Sequence, residues 1–295
     1  IYLYTLERQH VGRKTGLAVA RTVAGLLSDA GESSEQLVSQ GPGGTRAIAA
    51  GLDPLAWDGI LAVGGDGTLF EVLNGLRERR GSIPVPVGLI PVGTGNSFVR
   101  DLGIETVSDA VRPVLARTTR RIDLGHFSSA AGDYCFANLL GAGFVSNVAH
   151  RAHRYKTLGS MSYVFAVLEE VARLRSTSVT LEVDGRSIER DAIFVEICNS
   201  RYTGGSMLMA PGALVDDGLL DVVVASNMNR RNVLRLLPTI FSGRHVDSPR
   251  VEVFRGRSVR LSSAQPMALT PDGETFGTTP LSARVEHRAL EMFGS

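Results

Sequence analysis

Cysteine, lysine and tryptophan are nearly missing from this chain. Its two cysteines, Cys135 and Cys198, are too few and too far apart for a disulfide framework or a cysteine-based metal site. Each sits in an apolar run, so both are expected to be reduced core residues of a cytoplasmic protein. Lysine occurs only at Lys14 and Lys156, so nearly all positive charge is arginine, a side chain suited to bidentate contacts with phosphate or carboxylate. Genomic base composition would produce the same bias. Charge of either sign is balanced: 31 Lys+Arg against 30 Asp+Glu leave +1, which removes support for nucleic-acid binding driven by overall positive charge. No window approaches the roughly 18 consecutive apolar residues of a membrane-spanning helix. The start lacks the basic-then-apolar layout of a secretory signal, so a soluble protein is expected. Ile1 is not assumed to be the native start.

With 295 residues, 43% of them apolar, the chain has room for about two domains. The first 125 residues alternate apolar runs with helical patterns, the signature of a parallel sheet wrapped by helices. Strands are expected over 1–6, 36–39, 59–63 and 87–91, with helices over about 14–30, 45–51 and after Gly67. Beyond Gly125, period-two alternation and hairpin turns take over, including Asp184-Gly185, a type I′ signal between 179–183 and 193–197. Further strands are expected over 219–224, 251–254, 259–261 and 267–269, with helices near 160–174 and 231–237. The expected fold is α/β: residues 1–125 as a βα domain and the chain beyond as a mainly antiparallel β-rich domain.

Three turns carry chemistry. Gly64-Gly65-Asp66-Gly67-Thr68 lies between a buried strand and a helix, where exposed N–H groups and the positive helix end make a phosphate cradle. It lacks the Lys-Ser/Thr pair of a P-loop and the spacing of a dinucleotide fingerprint. A tight turn with an N-capping Asp66 is an equal alternative. A second glycine turn, Gly93-Thr94-Gly95-Asn96-Ser97, again follows a strand and is expected to open a helix. Two such loops at strand carboxyl ends converge on one crevice in open α/β sheets. The third, Thr270-Pro271-Asp272-Gly273-Glu274, makes a hairpin turn or presents carboxylates. The acidic turn Leu214–Leu219 reads either as a turn or as a hard-cation site.

In this order and spacing, together with Glu71, Asn74 and Gly75, Asp123-Leu124-Gly125, Asn138, Gly141-Ala142-Gly143-Phe144, Lys156 to Tyr163, Pro211, Ala213 and Asp217-Gly218, the chain resembles the diacylglycerol kinase catalytic-domain family. That family includes soluble bacterial lipid kinases and sphingosine and ceramide kinases. The resemblance implies that residues 1–125, with about 283–295 returning to them, form a nucleotide domain of the NAD kinase and phosphofructokinase type, that 126–282 form a C-terminal β-sandwich domain for the lipid substrate, and that the activity is ATP-dependent transfer to the hydroxyl of a diacylglycerol-like or sphingoid lipid at a membrane surface. Ser39, Gly64, Gly65, Asp66, Gly67, Thr68, Phe70, Thr94, Gly95 and Asn96 match nucleotide-contacting positions, and Asp272 matches the proposed general base, with Glu274 beside it. Asp66 and Asp123 are expected to hold Mg²⁺. Leu214, Asp217 and Leu219 match a structural metal site suited to Mg²⁺ or Ca²⁺.

The physical account agrees: phosphoryl transfer needs in-line positioning, charge neutralisation and a proton acceptor, and a carboxyl in a closed cleft is poised for the last role. Asp272→Ala and Asp66→Ala are expected to abolish transfer with thermal unfolding near wild type. Two departures stand out. Ser97 replaces the Asp usual in soluble bacterial members, and Leu6 to His10 replaces the usual Asn-Pro opening, with Arg13 or Lys14 offered to phosphate instead. The basic segment His150 to Lys156 reads as a membrane-facing patch or a solvated face. The alternatives are a same-fold kinase of a soluble substrate such as NAD and a weak nucleotide- or lipid-binding regulator. Oligomeric state stays open, a homodimer among the options.

Overall fold

A computed structural model describes residues 2–5, 13–41, 43–92, 96–152 and 161–294. It divides the chain into two compact units, Ile1–Leu124 with His287–Ser295, and Gly125–Glu286.

The first unit follows the βα pattern: β1 (Tyr2–Thr5), α1 (Arg13–Asp29), β2 (Glu35–Val38), α2 (Gly44–Gly51), β3 (Ile60–Gly64), α3 (Asp66–Arg80), β4 (Val87–Pro91) and α4 (Val107–Leu115). The strands are parallel in the order β4-β3-β1-β2. Every residue of β3 is buried, as expected of a strand covered by helices on both faces. Helix α3 buries Leu69, Val72, Leu73 and Leu76, and its Gly75 lies where a side chain would drive a Cβ to 2.4 Å from the Arg46 carbonyl of α2. The second glycine turn leads not into an α-helix but into a single 3-10 turn, Phe98–Arg100, which closes at the left-handed Gly103. Helix α4 starts three residues after Ile104 through a Thr106/Asp109 capping box.

The second unit is mainly antiparallel. Its elements are β5 (Thr119–Ser129, entered from the first unit), β6 (Gly132–Phe136), β7 (Leu139–Gly143), α5 (Phe144–Ala152), α6 (Met161–Ala172), β8 (Thr177–Val183), β9 (Arg186–Cys198), β10 (Tyr202–Thr203), β11 (Met207–Leu208), β12 (Leu220–Ser226), α7 (Arg230–Ile240), β13 (Val251–Gly256), β14 (Ser258–Ser263), β15 (Leu269–Pro271) and β16 (Leu281–Phe293), which ends in the first unit. Asp184 and Gly185 both adopt positive φ, 47° and 82°, forming the type I′ connection of β8 to β9. The carboxyl half of β9 is the spine of the unit, flanked by β7 on one side and β12 on the other. Periodicity missed the β5–β6 hairpin, α5 and the length of β16, because small and polar residues interrupt their apolar patterns.

The spine carries an ionisable group in an apolar setting. Glu196 of β9 is 0% exposed, and neither carboxyl oxygen has a hydrogen-bond partner. It occupies the space left by Gly141 across the β7–β9 pair, where a Cβ would come within 3.0 Å of both oxygens. Burial pushes its carboxyl from 4.5 up to about 8 and, with Glu196 and Asp221 adding repulsion, pushes the Cys198 thiol well up too. As pH rises, the unfolded chain therefore releases this proton first, and stability is lost from about 4.5 to about 8 and levels off above. Glu196→Gln, neutral throughout, should flatten the decline in unfolding midpoint between these values; an unaltered decline in the variant would show that Glu196 does not cause it.

Candidate active site

The first glycine turn is built around two close approaches. Strand β3 ends at Gly64, where a Cβ would sit 2.0 Å from the Thr68 hydroxyl, so glycine here lets the first turn of α3 fold back onto the strand end. Gly65 is the N-cap of α3 and has no side chain to cap with, so Asp66 is the first helical residue rather than the N-cap. The Asp66 carboxylate instead reaches the second glycine turn: the N–H of Ser97 donates to its Oδ2 at 3.0 Å and that of Phe98 to its Oδ1 at 3.3 Å. Gly64 pairs with Pro91, and the Val92 N–H donates to the Gly64 carbonyl at 3.0 Å, so the two turns stand side by side at adjacent strand ends. A Cβ on Gly65 would meet the Asn96 side chain at 3.3 Å. Gly93, Thr94 and Gly95 lie outside the described residues.

The start of α3 lies at this turn; of its first-turn N–H groups, that of Thr68 already donates to the Gly65 carbonyl at 2.9 Å. Ser39, Thr68 and Phe70 are buried nearby in the fold, Ser39 just past β2 against the start of α2. Gly67 lies within the first turn of α3. Glu71 serves the scaffold: its two oxygens accept the N–H groups of Gly43 and Arg46, both at 3.3 Å, and so cap α2. Ser97 is buried. An Asp in its place would set a second carboxylate beside Asp66, so the serine relieves like-charge repulsion there.

Asp123 is 0% exposed at the end of the first unit's early segment. Its Oδ1 accepts the Arg288 N–H at 2.7 Å and faces His287 Nδ1 at 2.9 Å. It thereby ties down the returning strand β16, whose Arg288 takes a positive φ of 50°. His287 has no motif around it, and only the tertiary pairing reveals it. No three His, Cys, Asp or Glu gather as a metal site among the described residues. Nucleotide-borne Mg²⁺ needs only one or two carboxylates beside phosphates and water; the two expected for it, Asp66 and Asp123, both accept backbone N–H groups here.

In the second unit Asp272 follows β15, which pairs with β7. Asp272 and Gly273 have φ of 46° and 85°, and Glu274 closes the turn by donating its N–H to the Pro271 carbonyl at 2.8 Å. The hairpin alternative therefore describes the backbone, yet the side chain does more than turn. Asp272 is 3% exposed, and its carboxylate accepts three backbone N–H groups: Ala137 at 2.9 Å, Asn138 at 2.9 Å and Leu139 at 3.1 Å. That receiving loop is itself braced, since Asn199 Nδ2 donates to the Ala137 carbonyl at 2.8 Å and the Ser200 hydroxyl donates to Asn138 Oδ1. Asn199 and Ser200 escaped the sequence reading; their only signal was two polar residues directly after an apolar strand. Glu274 is half-buried in the same turn.

The acidic turn is organised differently from the expected metal site. The Asp217 carboxylate accepts the Leu219 N–H at 3.0 Å on one oxygen and the Arg255 guanidinium on the other. Arg255 also donates to Asp221 at 3.2 Å, a buried carboxyl that burial pushes up while Arg255 opposes the rise. The carboxylate that a metal would need is thus already neutralised by a side chain, and Leu214 is 56% exposed. Of the expected set Leu214, Asp217 and Leu219, the one carboxylate thus meets the Arg255 guanidinium as its cation among the described residues. Of the basic segment, Arg151 is largely buried in ion pairs with Glu169 and Glu170, both at 2.6 Å, and is not a solvated face. His153 to Lys156, like Leu6 to His10, lie outside the described residues.

Comparison with known proteins gives this geometry a context. Residues 8–127 match the diacylglycerol kinase catalytic domain, and residues 138–294 match the YegS C-terminal NAD kinase beta sandwich-like domain. The chain belongs to the diacylglycerol kinase family. It is similar to the diacylglycerol kinase of Mycobacterium tuberculosis, 32% identical over 272 residues that cover 87% of each chain. Its fold is that of a diacylglycerol kinase from Bacillus anthracis, with a TM-score of 0.72 at 18% identity over 100% of this chain and 96% of that one. The NAD kinase from Archaeoglobus fulgidus, solved in complex with ATP, shares the fold more distantly, with a TM-score of 0.56 at 13% identity over 99% and 92% of the two chains. Membership in this lipid kinase family makes the α/β unit with its glycine turns and the β-sandwich-like unit the expected pair.

The bonding corrects the expectation that Asp66→Ala and Asp272→Ala leave thermal unfolding near wild type. Each removes the acceptor of two or three buried N–H groups, at about 1–3 kcal/mol per orphaned group. Both variants should unfold several degrees lower, and unshifted midpoints would mean that water takes the carboxylates' place. For the acidic turn, EDTA should leave the unfolding midpoint of the nucleotide-free protein unchanged, whereas Arg255→Gln should lower it. A midpoint that falls on chelation would restore the metal.

Proposed function

We propose that this protein is an ATP-dependent lipid kinase that phosphorylates a hydroxyl of a diacylglycerol-like or sphingoid lipid. The observation that carries the reading is the pair of glycine turns at the ends of β3 and β4, pinned together by Asp66, in a chain of the diacylglycerol kinase family. The turns and the start of α3 would bind the nucleotide phosphates through backbone N–H groups, with Ser39, Thr68, Thr94 and Asn96 around them. Asp66 and Asp123 would hold Mg²⁺, which when bound neutralises phosphate charge. A carboxylate on the rim of a phosphate cradle repels phosphate unless a cation intervenes, so Asp66 on the turn itself supports that assignment.

Asp272 is proposed as the base. It would accept the proton of the lipid hydroxyl while that oxygen forms its bond to the γ-phosphorus and the bond to the β,γ-bridging oxygen breaks, ADP leaving with the electron pair. Three N–H donors hold the carboxylate in one orientation, the positioning that in-line transfer requires. Glu274 in the same turn is proposed to assist. The protein is proposed to work in the cytoplasm at the inner face of the membrane.

The test is transfer from radiolabelled ATP with Mg²⁺ to a panel of diacylglycerol, monoacylglycerol, ceramide, sphingosine and NAD. Label in a glycerolipid or sphingoid lipid is the expected result. Label only in NAD would replace the reading with a soluble-substrate kinase, and ATP binding without transfer would replace it with a regulator. Asp272→Asn should keep ATP affinity within a few-fold while losing at least about a hundredfold in kcat, the size of effect general-base removal produces. Substantial turnover in that variant would remove Asp272 from the base role.

A further inference from the structure

Helix α7 of the second unit has a face that the fold leaves unused. Its inner side is apolar: Val233 and Ile240 are buried in the core with Phe194 and Val223, and the helix starts from a proper cap, Asn229 accepting the Asn232 N–H at 3.0 Å. Its outer side is apolar too at its centre, where Leu234 is 45% exposed and Phe241, just past the last turn, is 60% exposed. Around them lie Arg231, Arg235 and, on the following 3-10 turn, Arg244, all exposed. At about 100° per residue, positions 231, 234, 235 and 241 fall within roughly a third of the helix circumference.

These arginines differ from several other cations of the unit, though the exposed Arg175 and Arg186 likewise make no side-chain hydrogen bond or ion pair among the described residues. Arg230 donates to the carbonyls of Val171 and Ala172 at the end of α6, at 3.2 and 2.8 Å, and Arg151, Arg190 and Arg255 are each committed to carboxylates. Arg231, Arg235 and Arg244 make no hydrogen bond or ion pair among the described residues. Residues 228–246 contain no Asp or Glu at all. Between α7 and the 3-10 turn runs an open groove lined by Arg235, Arg244, Arg250, Asn232 and Ser248, with Asp247 the one carboxylate on its wall. What sets this face apart is that three arginines surround an exposed leucine and phenylalanine, a combination to which a phospholipid surface offers phosphates for the first and hydrocarbon for the second.

We propose that the outer face of α7 is a membrane-docking surface for anionic phospholipid bilayers, with Arg231, Arg235 and Arg244 on headgroup phosphates and Leu234 and Phe241 inserted at the acyl boundary. The surface goes beyond the kinase reading and lies on other residues than its chemistry, so the two fail separately. Each arginine near an anionic surface contributes about fivefold in affinity, so removing three should weaken binding roughly a hundredfold.

Sedimentation with vesicles, without ATP, tests it. Wild type should bind vesicles of phosphatidylcholine mixed with phosphatidylglycerol, bind them less at high salt, and ignore phosphatidylcholine alone. The triple variant Arg231→Gln/Arg235→Gln/Arg244→Gln should lose about a hundredfold, and Leu234→Ser/Phe241→Ser should lose binding while its salt dependence persists. Thermal unfolding of both should match wild type, since these side chains are exposed. On a lipid substrate dispersed in detergent both should turn over normally, and on vesicles slowly. Wild type that ignores anionic vesicles, or a triple variant that binds them as wild type does, overturns the proposal. So does a wild-type dimer that the Leu234→Ser/Phe241→Ser variant makes monomeric, which would assign the face to a second copy of the chain. Absence of any kinase activity alongside intact vesicle binding would sink only the catalytic reading.

Discussion

Buried carboxylates that accept backbone N–H groups from a distant segment are the interaction on which this structure depends. A buried N–H without an acceptor is costly, and a loop with no ladder partner has several. Asp66 supplies acceptors to the second glycine turn, Asp123 to the returning β16 and Asp272 to the loop between β6 and β7; at the surface the exposed Asp184 does the same for the start of β14, where the Arg257 and Ser258 N–H groups hold its carboxyl below the usual range. Each replaces missing secondary structure with a charged acceptor, a stronger bond than its neutral counterpart.

This dual use explains why chemically suggestive residues are also structural ones. Asp66 cannot be subtracted to test for metal binding without releasing Ser97 and Phe98, and Asp272 cannot be subtracted without releasing Ala137 to Leu139. The cost is geometric as well: Asp272 and Arg288 both adopt positive φ, at 46° and 50°. A non-glycine residue held there is kept in place by the bonds around it.

Cation management follows the same economy. The acidic turn at 216–218 is neutralised by Arg255 from β13, and Arg151 answers the glutamates of α6. The uncommitted arginines of α7 and the 3-10 turn after it, gathered around Leu234 and Phe241, give the second unit a face of its own.

Much of this was legible in the residues. The apolar runs of β3 and β4, the type I′ pair Asp184-Gly185 and the two glycine turns follow from local sterics and periodicity, which neighbouring residues alone dictate. The helix expected after the second turn was not, because Gly103 ends it after one 3-10 turn. Nor was the role of several glycines: Gly64 yields to Thr68, Gly75 to the Arg46 carbonyl and Gly141 to Glu196, and each of those partners is set by packing. By itself, then, the sequence determined the alternation of strands and helices, the place of the turns and the family. Tertiary structure alone decided what the carboxylates hold, that Asp217 meets Arg255, and that Glu196 has no hydrogen-bond partner among the described residues. Those outcomes depend on contacts between residues tens to more than a hundred positions apart, and local patterning carries no information about such pairs.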